Sequence, residues 1–272
     1  MSSMRRIAIM AEMHGRDLTR RHIALGLLLA LPLTFYLASA GKGQDSIVAG
    51  GVGLAFAISG ATLFSVLSSQ EVDQRLVLAG YLPRELLLGR LAFLGPLGVA
   101  IAAAFSGLMV SVSGSDRPWV TFLGVALVAL QSIPFGLAIG VVVQRELEGT
   151  LVLIGVIGLQ LAAGPDAAIA PFLPFDGPRQ VIAASLGGGG AIAVPVLVTC
   201  AYGLAMFTLA RIVVTRRLAV GHGETDADAG PDEPPAAGAV IPIAAAPRSD
   251  HTPPAHRRAP SPPDRRRGGP SR

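Results

Sequence analysis

Acidic and basic side chains are missing from the long apolar runs of this sequence. Of its 272 residues, 51% are hydrophobic and only 15% are charged, and the mean hydropathy is +0.56. Six runs contain no Asp, Glu, Lys, Arg or His: residues 23–40, 47–69, 91–113, 119–143, 150–164 and 189–210. Ion-coupled carriers and proton pumps bind the driving ion with such groups, so their absence argues against both classes. Backbone carbonyls can hold sodium, which keeps an ion-coupled secondary transporter as a weaker alternative.

Cysteine, lysine and histidine are also scarce. The single cysteine, Cys200, allows no internal disulfide and no cysteine metal cluster. The single lysine, Lys42, is followed by Gly43 and therefore does not form the Gly-Lys-Ser/Thr motif of a phosphate-binding loop. All five histidines lie outside the six runs, which excludes a histidine-dependent protease site at membrane depth. We therefore predict no catalytic residue, no metal site and no cofactor in this chain.

The apolar runs themselves determine the fold class. A helix rises about 1.5 Å per residue and a bilayer core is about 30 Å thick, so the runs are long enough, or nearly so, to cross it. We expect an all-α integral membrane protein with six transmembrane helices. Residues 1–22 are predicted to form a basic amphipathic helix, residues 23–217 the six-span domain, and residues 218–272 a disordered tail rich in Pro, Ala and Arg. We expect the tail to be solvated and not to bind nucleic acid.

The distribution of basic residues predicts the orientation. Most of those next to the spans lie in residues 1–22, 70–90, 144–149 and 211–217. The alternate segments hold only Lys42, Arg117 and Arg179. Cytoplasmic segments of membrane proteins carry the excess of Lys and Arg, so both termini are predicted to be cytoplasmic. Residues 38–40 (Ala-Ser-Ala) have the look of a signal-peptidase site, but the basic and apolar segments before them are longer than in ordinary signal peptides.

Residues 70–90 hold most of the charge in the first half of the apolar region. Apolar and charged residues interleave up to Leu78, which predicts a short amphipathic helix. Gly80 is predicted to end this helix, and Pro83 to start another with Glu85 in its first turn. The segment is either an ordinary connection between two spans or a rigid double turn that presents charged and aromatic groups to another protein.

Two later segments also have distinct patterns. Gly136 and Gly140 are spaced so that another helix could approach this face closely. Residues 165–185 contain four prolines but few charges, which indicates short helices that re-enter the outer face of the membrane rather than a solvated loop.

Four features occur in an order that is known from one family of membrane proteins. A basic amphipathic helix within residues 5–21 precedes the first span, and the charged segment 70–90 follows the second. The turn 146–150 (Glu-Leu-Glu-Gly-Thr) leads into a short fifth span, and 173–175 (Leu-Pro-Phe) precedes the sixth. In this layout residues 4–215 resemble the membrane permease subunits of type-2 ABC exporters.

The resemblance implies a function and a set of partners. Two permease chains, identical or different, would form a dimer in the lipid bilayer of the cell membrane and bind a pair of separate ABC ATPase subunits. The ATPase subunits would hold ATP and Mg, so this chain would not itself be an enzyme. Their closure would push on residues 70–90 and open an outward path, by alternating access, for a hydrophobic or amphipathic substrate.

The resemblance also implies site residues. Coupling to the ATPase is implied for Glu71, Asp73, Arg75, Tyr81, Arg84 and Glu85. The elbow helix contributes Arg16, Arg20 and Arg21, and the second cytoplasmic turn contributes Arg145, Glu146 and Glu148. A substrate path is implied past Gln131, Gln160, Leu173, Pro174 and Phe175. Hydrogen bonding between helices is the other use open to the two glutamines.

A non-catalytic membrane scaffold or assembly protein is the main alternative. Such a protein would have the same spans, but it would not need paired charged loops on one side of the membrane. An ABC ATPase encoded in the adjacent reading frame would decide between the two functions.

Overall fold

The computed structural model describes residues 3–227 apart from 21, 41–43, 114–116, 165–166 and 189. Within these residues the regular structure is helical and contains no strand. The α-helices are α1 (Ser3–Arg20), α2 (His22–Ala38), α3 (Gln44–Ser68), α4 (Gln70–Leu78), α5 (Pro83–Ser113), α6 (Pro118–Val142), α7 (Glu146–Ala162), α8 (Asp176–Ala183) and α9 (Ala193–Ala227).

Four of these helices are long and apolar enough to cross a membrane: Asp45–Ser68 in α3, Pro83–Val112 in α5, Pro118–Val142 in α6 and Ala193–Arg217 in α9. The regular structure of the described residues is all helical, as the sequence predicts, and these four helices have the length and composition of a membrane-embedded protein. The first and fifth predicted spans correspond to α2 and α7, which have 17 residues each. Their length of about 25 Å is short of a full bilayer core.

The last helix is longer than the sequence predicts. The predicted boundary between residues 217 and 218 falls inside α9, which continues to Ala227. A helix that is already formed adds residues without a new nucleation cost, which offsets the low helix propensity of Gly221 and Gly223. The remainder of the predicted tail, residues 228–272, lies outside the described residues.

Helix α6 occupies the centre of the fold. It packs against α3, α5, α7, α8 and α9, and almost all its residues from Val120 to Val141 are buried. A helix that is apolar on every side is suited to this position because it has no polar face to present to water.

Close contact between α3 and α6 depends on glycine. A Cβ on Gly136 would collide with the carbonyl oxygen of Ser59 and lie 2.9 Å from the Cβ of Thr62. The Ser59 hydroxyl donates a hydrogen bond of 3.1 Å to the carbonyl oxygen of Ser132 across the same contact. One turn further on, Gly140 faces Val66. The expectation that Gly136 and Gly140 admit a neighbouring helix is confirmed.

The segment between α3 and α5 folds as the sequence predicts. Helix α4 ends at Leu78, and Gly80 has a φ of 87°, a left-handed conformation that glycine adopts without strain. Pro83 begins α5 with Glu85 in its first turn. Residues 70–90 therefore form a helix, a tight corner and the start of a second helix, which we call the α4–α5 corner.

Short helices also form in the proline-rich segment between α7 and α9. One turn of 3₁₀ helix, Ala170–Phe172, precedes α8, and the chain leaves α8 through a wide turn at Ala184–Gly188. Helix α8 packs on α6 and α9 and places Val181 and Ile182 in the core. The edge of the Phe175 ring meets the Phe135 ring of α6 with the centroids 5.5 Å apart.

We expect Gly136→Ala to destabilise the fold by about 1–3 kcal/mol, because the added methyl group cannot be accommodated without moving α3 away from α6. Thermal unfolding in detergent measures the change. Gly158→Ala on α7 is the matched control, since a Cβ there meets no atom within 4 Å. Equal unfolding temperatures for the two variants would contradict the importance of this contact.

Candidate functional site

The α4–α5 corner is held against α1 by a buried carboxylate. Glu85 is only 2% exposed. One carboxylate oxygen accepts a hydrogen bond of 2.7 Å from the Ser3 hydroxyl, and the other accepts one of 3.1 Å from the Leu82 amide. The second bond is the reach-back of an N3 glutamate to the N-cap of its own helix. Glu85 therefore caps α5 and binds α1 at the same time.

Arg6 completes this contact from α1. Its guanidinium donates to the carbonyl oxygen of Gly80 at 2.8 Å and to the second oxygen of Glu85 at 3.4 Å. It also lies 5.2 Å from the centroid of the Tyr81 ring, within the range of a cation–π interaction. We call Ser3, Arg6, Gly80, Tyr81 and Glu85 the Glu85 cluster. It fixes the turn between α4 and α5 on α1.

A second ionic contact fixes α4 itself. Arg90 of α5 is 3% exposed and donates to Asp73 at 2.5 Å and to the Ser69 hydroxyl. Burial raises the pKa of Asp73, and the nearby Arg90 guanidinium opposes that rise. The pair joins the end of α3, the middle of α4 and the start of α5, so the corner is braced at both its ends.

The outer side of the corner is exposed. Glu71, Arg75 and Arg84 are exposed, and so are Val72, Leu78 and Leu82. Leu78, at the tip of α4, is 78% exposed. Of the predicted coupling residues, Glu71, Arg75 and Arg84 therefore face outward, whereas Asp73 and Glu85 are used within the protein and Tyr81 lies against Arg6.

The turn between α6 and α7 lies at the same end of the helices. Val66 and Leu63, near the end of α3, contact Gly140 and Gly149 respectively. Arg217 of α9 donates to the carbonyl oxygen of Val142 at 3.3 Å. Arg145, Glu146 and Glu148 are exposed here, with Arg145 and Glu148 3.0 Å apart, and Leu147 between them is 81% exposed. Both charged turns and α1 therefore lie at the same end of the long helices.

Two of the three predicted elbow arginines, Arg16 and Arg20, lie on α1. Arg16 is exposed and forms a 2.6 Å ion pair with Glu12. Arg20 is the last residue of α1, and Arg21 lies outside the described residues. The buried side of α1 is apolar, with Met10 beside Gly89 and Gly15 beside Phe93 of α5.

A cavity of about 260 Å³ lies at the opposite end, between α3, α6, α7 and α8. Gln160 and Phe175, two residues of the predicted substrate path, line it together. Gln160 is 3% exposed, and its amide oxygen and nitrogen have no hydrogen-bond partner among the described residues. Asp45 and Arg179 add charged groups to the wall of an otherwise mostly apolar space.

The remaining residues of the predicted path do not line this cavity. Gln131 is buried where α6 meets α9, and its side-chain oxygen would be 2.9 Å from a Cβ on Gly203. Leu173 and Pro174 are buried beside Phe175. The next residue before them, Phe172, is 74% exposed, and its carbonyl oxygen accepts a 2.6 Å hydrogen bond from the Tyr202 hydroxyl. The structure therefore separates Gln131 from the cavity.

Sequence reasoning did not identify the partners of the buried charges. Ser3 and Arg6 are 82 and 79 residues from Glu85, so nothing local pairs them. The one available signal was Glu85 at the third position of a helix that starts with Pro83, a spacing typical of a capping glutamate. Within the described part of the chain, no group of three or more His, Cys, Asp or Glu could hold a metal ion.

Comparison with known proteins adds no relative: the chain matches no family model and no curated protein.

We expect Glu85→Ala to release α1 from the α4–α5 corner, because it removes the acceptor of both Ser3 and Arg6. Hydrogen exchange of residues 3–16 should become faster, and Arg6→Ala should have a similar, smaller effect. Glu85→Gln keeps an acceptor for Ser3, so its exchange rate in α1 should lie between those of the unsubstituted protein and Glu85→Ala.

Arg84→Ala is the control for this experiment, since Arg84 is the exposed neighbour of Glu85. Unchanged exchange in α1 after Glu85→Ala would show that the cluster does not anchor the helix.

Proposed function

We propose that this chain is the membrane permease subunit of an ABC exporter. It works as a dimer with separate ATPase subunits and moves a hydrophobic or amphipathic substrate outward by alternating access. The observation that carries the proposal is the α4–α5 corner. It presents exposed charged and apolar groups at the end of the helices where the second charged turn also lies.

The bracing of the corner supports a role in transmitting force. A partner that pushes on Glu71, Arg75 or Leu78 pushes on α4. The Asp73–Arg90 pair connects α4 to α5, and the Glu85 cluster connects the corner to α1. A loop that only joined two spans would not need to bury one charged member of each of two ion pairs, Glu85 and Arg90, because buried charges are costly to desolvate. Displacement of the corner would therefore reach α3 and α5 rather than being lost in a flexible loop.

The proposal also assigns six spans, counting α2 and α7. Both helices pack on α3, and both expose leucines, among them Leu27 at 61% and Leu151 at 66%. A second copy of the chain could cover these faces and complete the membrane crossing of the short helices. In this arrangement both termini and the α4–α5 corner are cytoplasmic, and α8 with the preceding proline-rich segment lies at the outer face of the cell membrane.

The substrate class follows from the absence of charge. No Asp, Glu, Lys, Arg or His lies in the six apolar runs, so a highly charged substrate would have no partner at membrane depth. Gln160 offers a donor and an acceptor in the cavity at the proposed outer end, which fits an amphipathic substrate with one polar group.

Reporter fusions test the orientation. We expect external signals at Gln44, Ser115 and Gly177 and cytoplasmic signals at Leu78, Glu148 and Gly230, because the basic residues are concentrated on the second side. Ser115 and Gly230 lie outside the described residues. An external signal at Leu78 would remove the α4–α5 corner from the reach of any ATPase.

Substitution of the exposed corner tests the coupling role. We expect Arg75→Ala with Arg84→Ala to reduce co-purification of the ABC ATPase encoded in the adjacent reading frame, or to leave ATP hydrolysis without transport. Loss of a charged group buried in an interface costs about 2–5 kcal/mol, which weakens binding more than tenfold.

Arg117→Ala is the matched control, because Arg117 is exposed at the opposite end, just before α6. Glu85 is left intact so that α1 stays in place. Normal assembly and transport in the double variant at equal expression, or the lack of an adjacent ATPase, would favour a membrane scaffold instead.

A further inference from the structure

A second cavity, of about 320 Å³, lies between α2 and α5 with α3 as its floor. Helix α2 packs on α3, whereas α5 packs mainly on α6 and α1, so the two helices leave a groove between them. The polar end of the groove is near α1, and the groove is separate from the cavity lined by Gln160.

The groove is long and apolar over most of its length. Along α5 it extends from Arg90 to Ile101, about 16 Å at the rise of an α-helix. Its walls are aliphatic and aromatic, and include Leu31, Phe64 and Leu97. Water is not retained by apolar walls of this kind.

One end of the groove is polar. Arg90, His14, Ser65 and Ser68 line it where α3 ends and α5 begins. The guanidinium of Arg90 uses one terminal nitrogen for Asp73 and Ser69. Its Nε is buried and has no hydrogen-bond partner among the residues that the structure describes. A buried cationic donor without an acceptor is costly, so this position favours an incoming oxygen.

We propose that the groove binds one acyl chain of an acidic phospholipid, with a headgroup or ester oxygen accepting from Nε of Arg90. A hydrocarbon chain is apolar and extended, as the lining and length of this part of the groove require. The polar end lies at the same end of the helices as α1 and the α4–α5 corner, where a headgroup would be found if α3 and α5 cross the bilayer. Basic pockets between membrane helices bind acidic headgroups in this way.

The lipid would therefore join three elements around the corner: it contacts α2, α3 and α5 along its chain and Arg90 at its head. Arg90 also holds Asp73 of α4, so an acidic lipid would stabilise the corner through the same guanidinium. This role does not depend on which protein contacts the outer side of the corner.

Tryptophan fluorescence quenching tests the site in the full-length chain. The only native tryptophan, Trp119, lies at the start of α6, and Phe64 lines the groove with 45% of its surface exposed. The probe variant is Trp119→Phe with Phe64→Trp, reconstituted in phosphatidylcholine with a minor fraction of lipid brominated on the acyl chain. Brominated phosphatidylglycerol should be preferred over brominated phosphatidylcholine about fivefold, the factor expected for one basic residue near the membrane surface.

Two controls make the result specific. The unsubstituted chain reports from Trp119, outside the groove, and should show no preference between the two brominated lipids. Ala61→Leu in the probe variant fills the groove without touching Arg90 or Asp73 and should abolish the preference, whereas Ala205→Leu on the exposed side of α9 should keep it.

Equal quenching by both lipids at Phe64→Trp would contradict headgroup selection by Arg90. Protection from both lipids would show that protein, such as a second copy of the chain, covers the groove. A preference that survives Ala61→Leu would place the lipid elsewhere. Each of these outcomes overturns the proposal and leaves the proposed contact with an ATPase unaffected.

Discussion

The close packing of α3 on α6 is the contact on which the other helices depend. At Gly136 the two backbones approach so closely that no side chain fits between them, and a hydrogen bond from Ser59 to the Ser132 carbonyl spans the gap. In a membrane, apolar helices gain little from leaving lipid, so association relies on such close packing and on hydrogen bonds. Helices α2 and α7 then pack on α3, and α5, α8 and α9 pack on α6.

The two sides of the α4–α5 corner differ in their exposure to solvent. On its inner side the buried Glu85 is bonded to Ser3 and Arg6 of α1 and the buried Arg90 to Asp73 of α4, whereas Arg75 and Leu78 are exposed on its outer side. Buried ionic contacts tolerate little change in geometry because the charges lose their compensation when they separate. The corner can therefore move as a unit with α1, which is the property that a partner at its outer side would require.

Local features were accessible to sequence reasoning, and long-range pairing was not. The ends of α4 and α5 follow from Gly80 and Pro83, whose backbone preferences act within a few residues. The burial of Glu85 depends on Ser3 and Arg6, far away in the chain, so the sequence predicts its place in the first turn of a helix but not its contact with α1. Gln131 and Gln160 have the same local setting, an amide within an apolar run, and only the packing of α9 and α8 separates their surroundings.

The separation of Ser59 and Ser132 by 73 residues has a consequence for how the protein is made. Synthesis starts at the N-terminus, so α3 reaches the membrane while α6 is still inside the ribosome. During that interval the face of α3 around Ser59 has no glycine surface to pack against, and its hydroxyl can bond only within its own helix or to passing lipid. The central contact of the mature protein therefore cannot form until α6 has left the ribosome. A ribosome that pauses between α5 and α6 would leave the α6-facing side of α3 uncovered, with only its other sides available to α2 and α5.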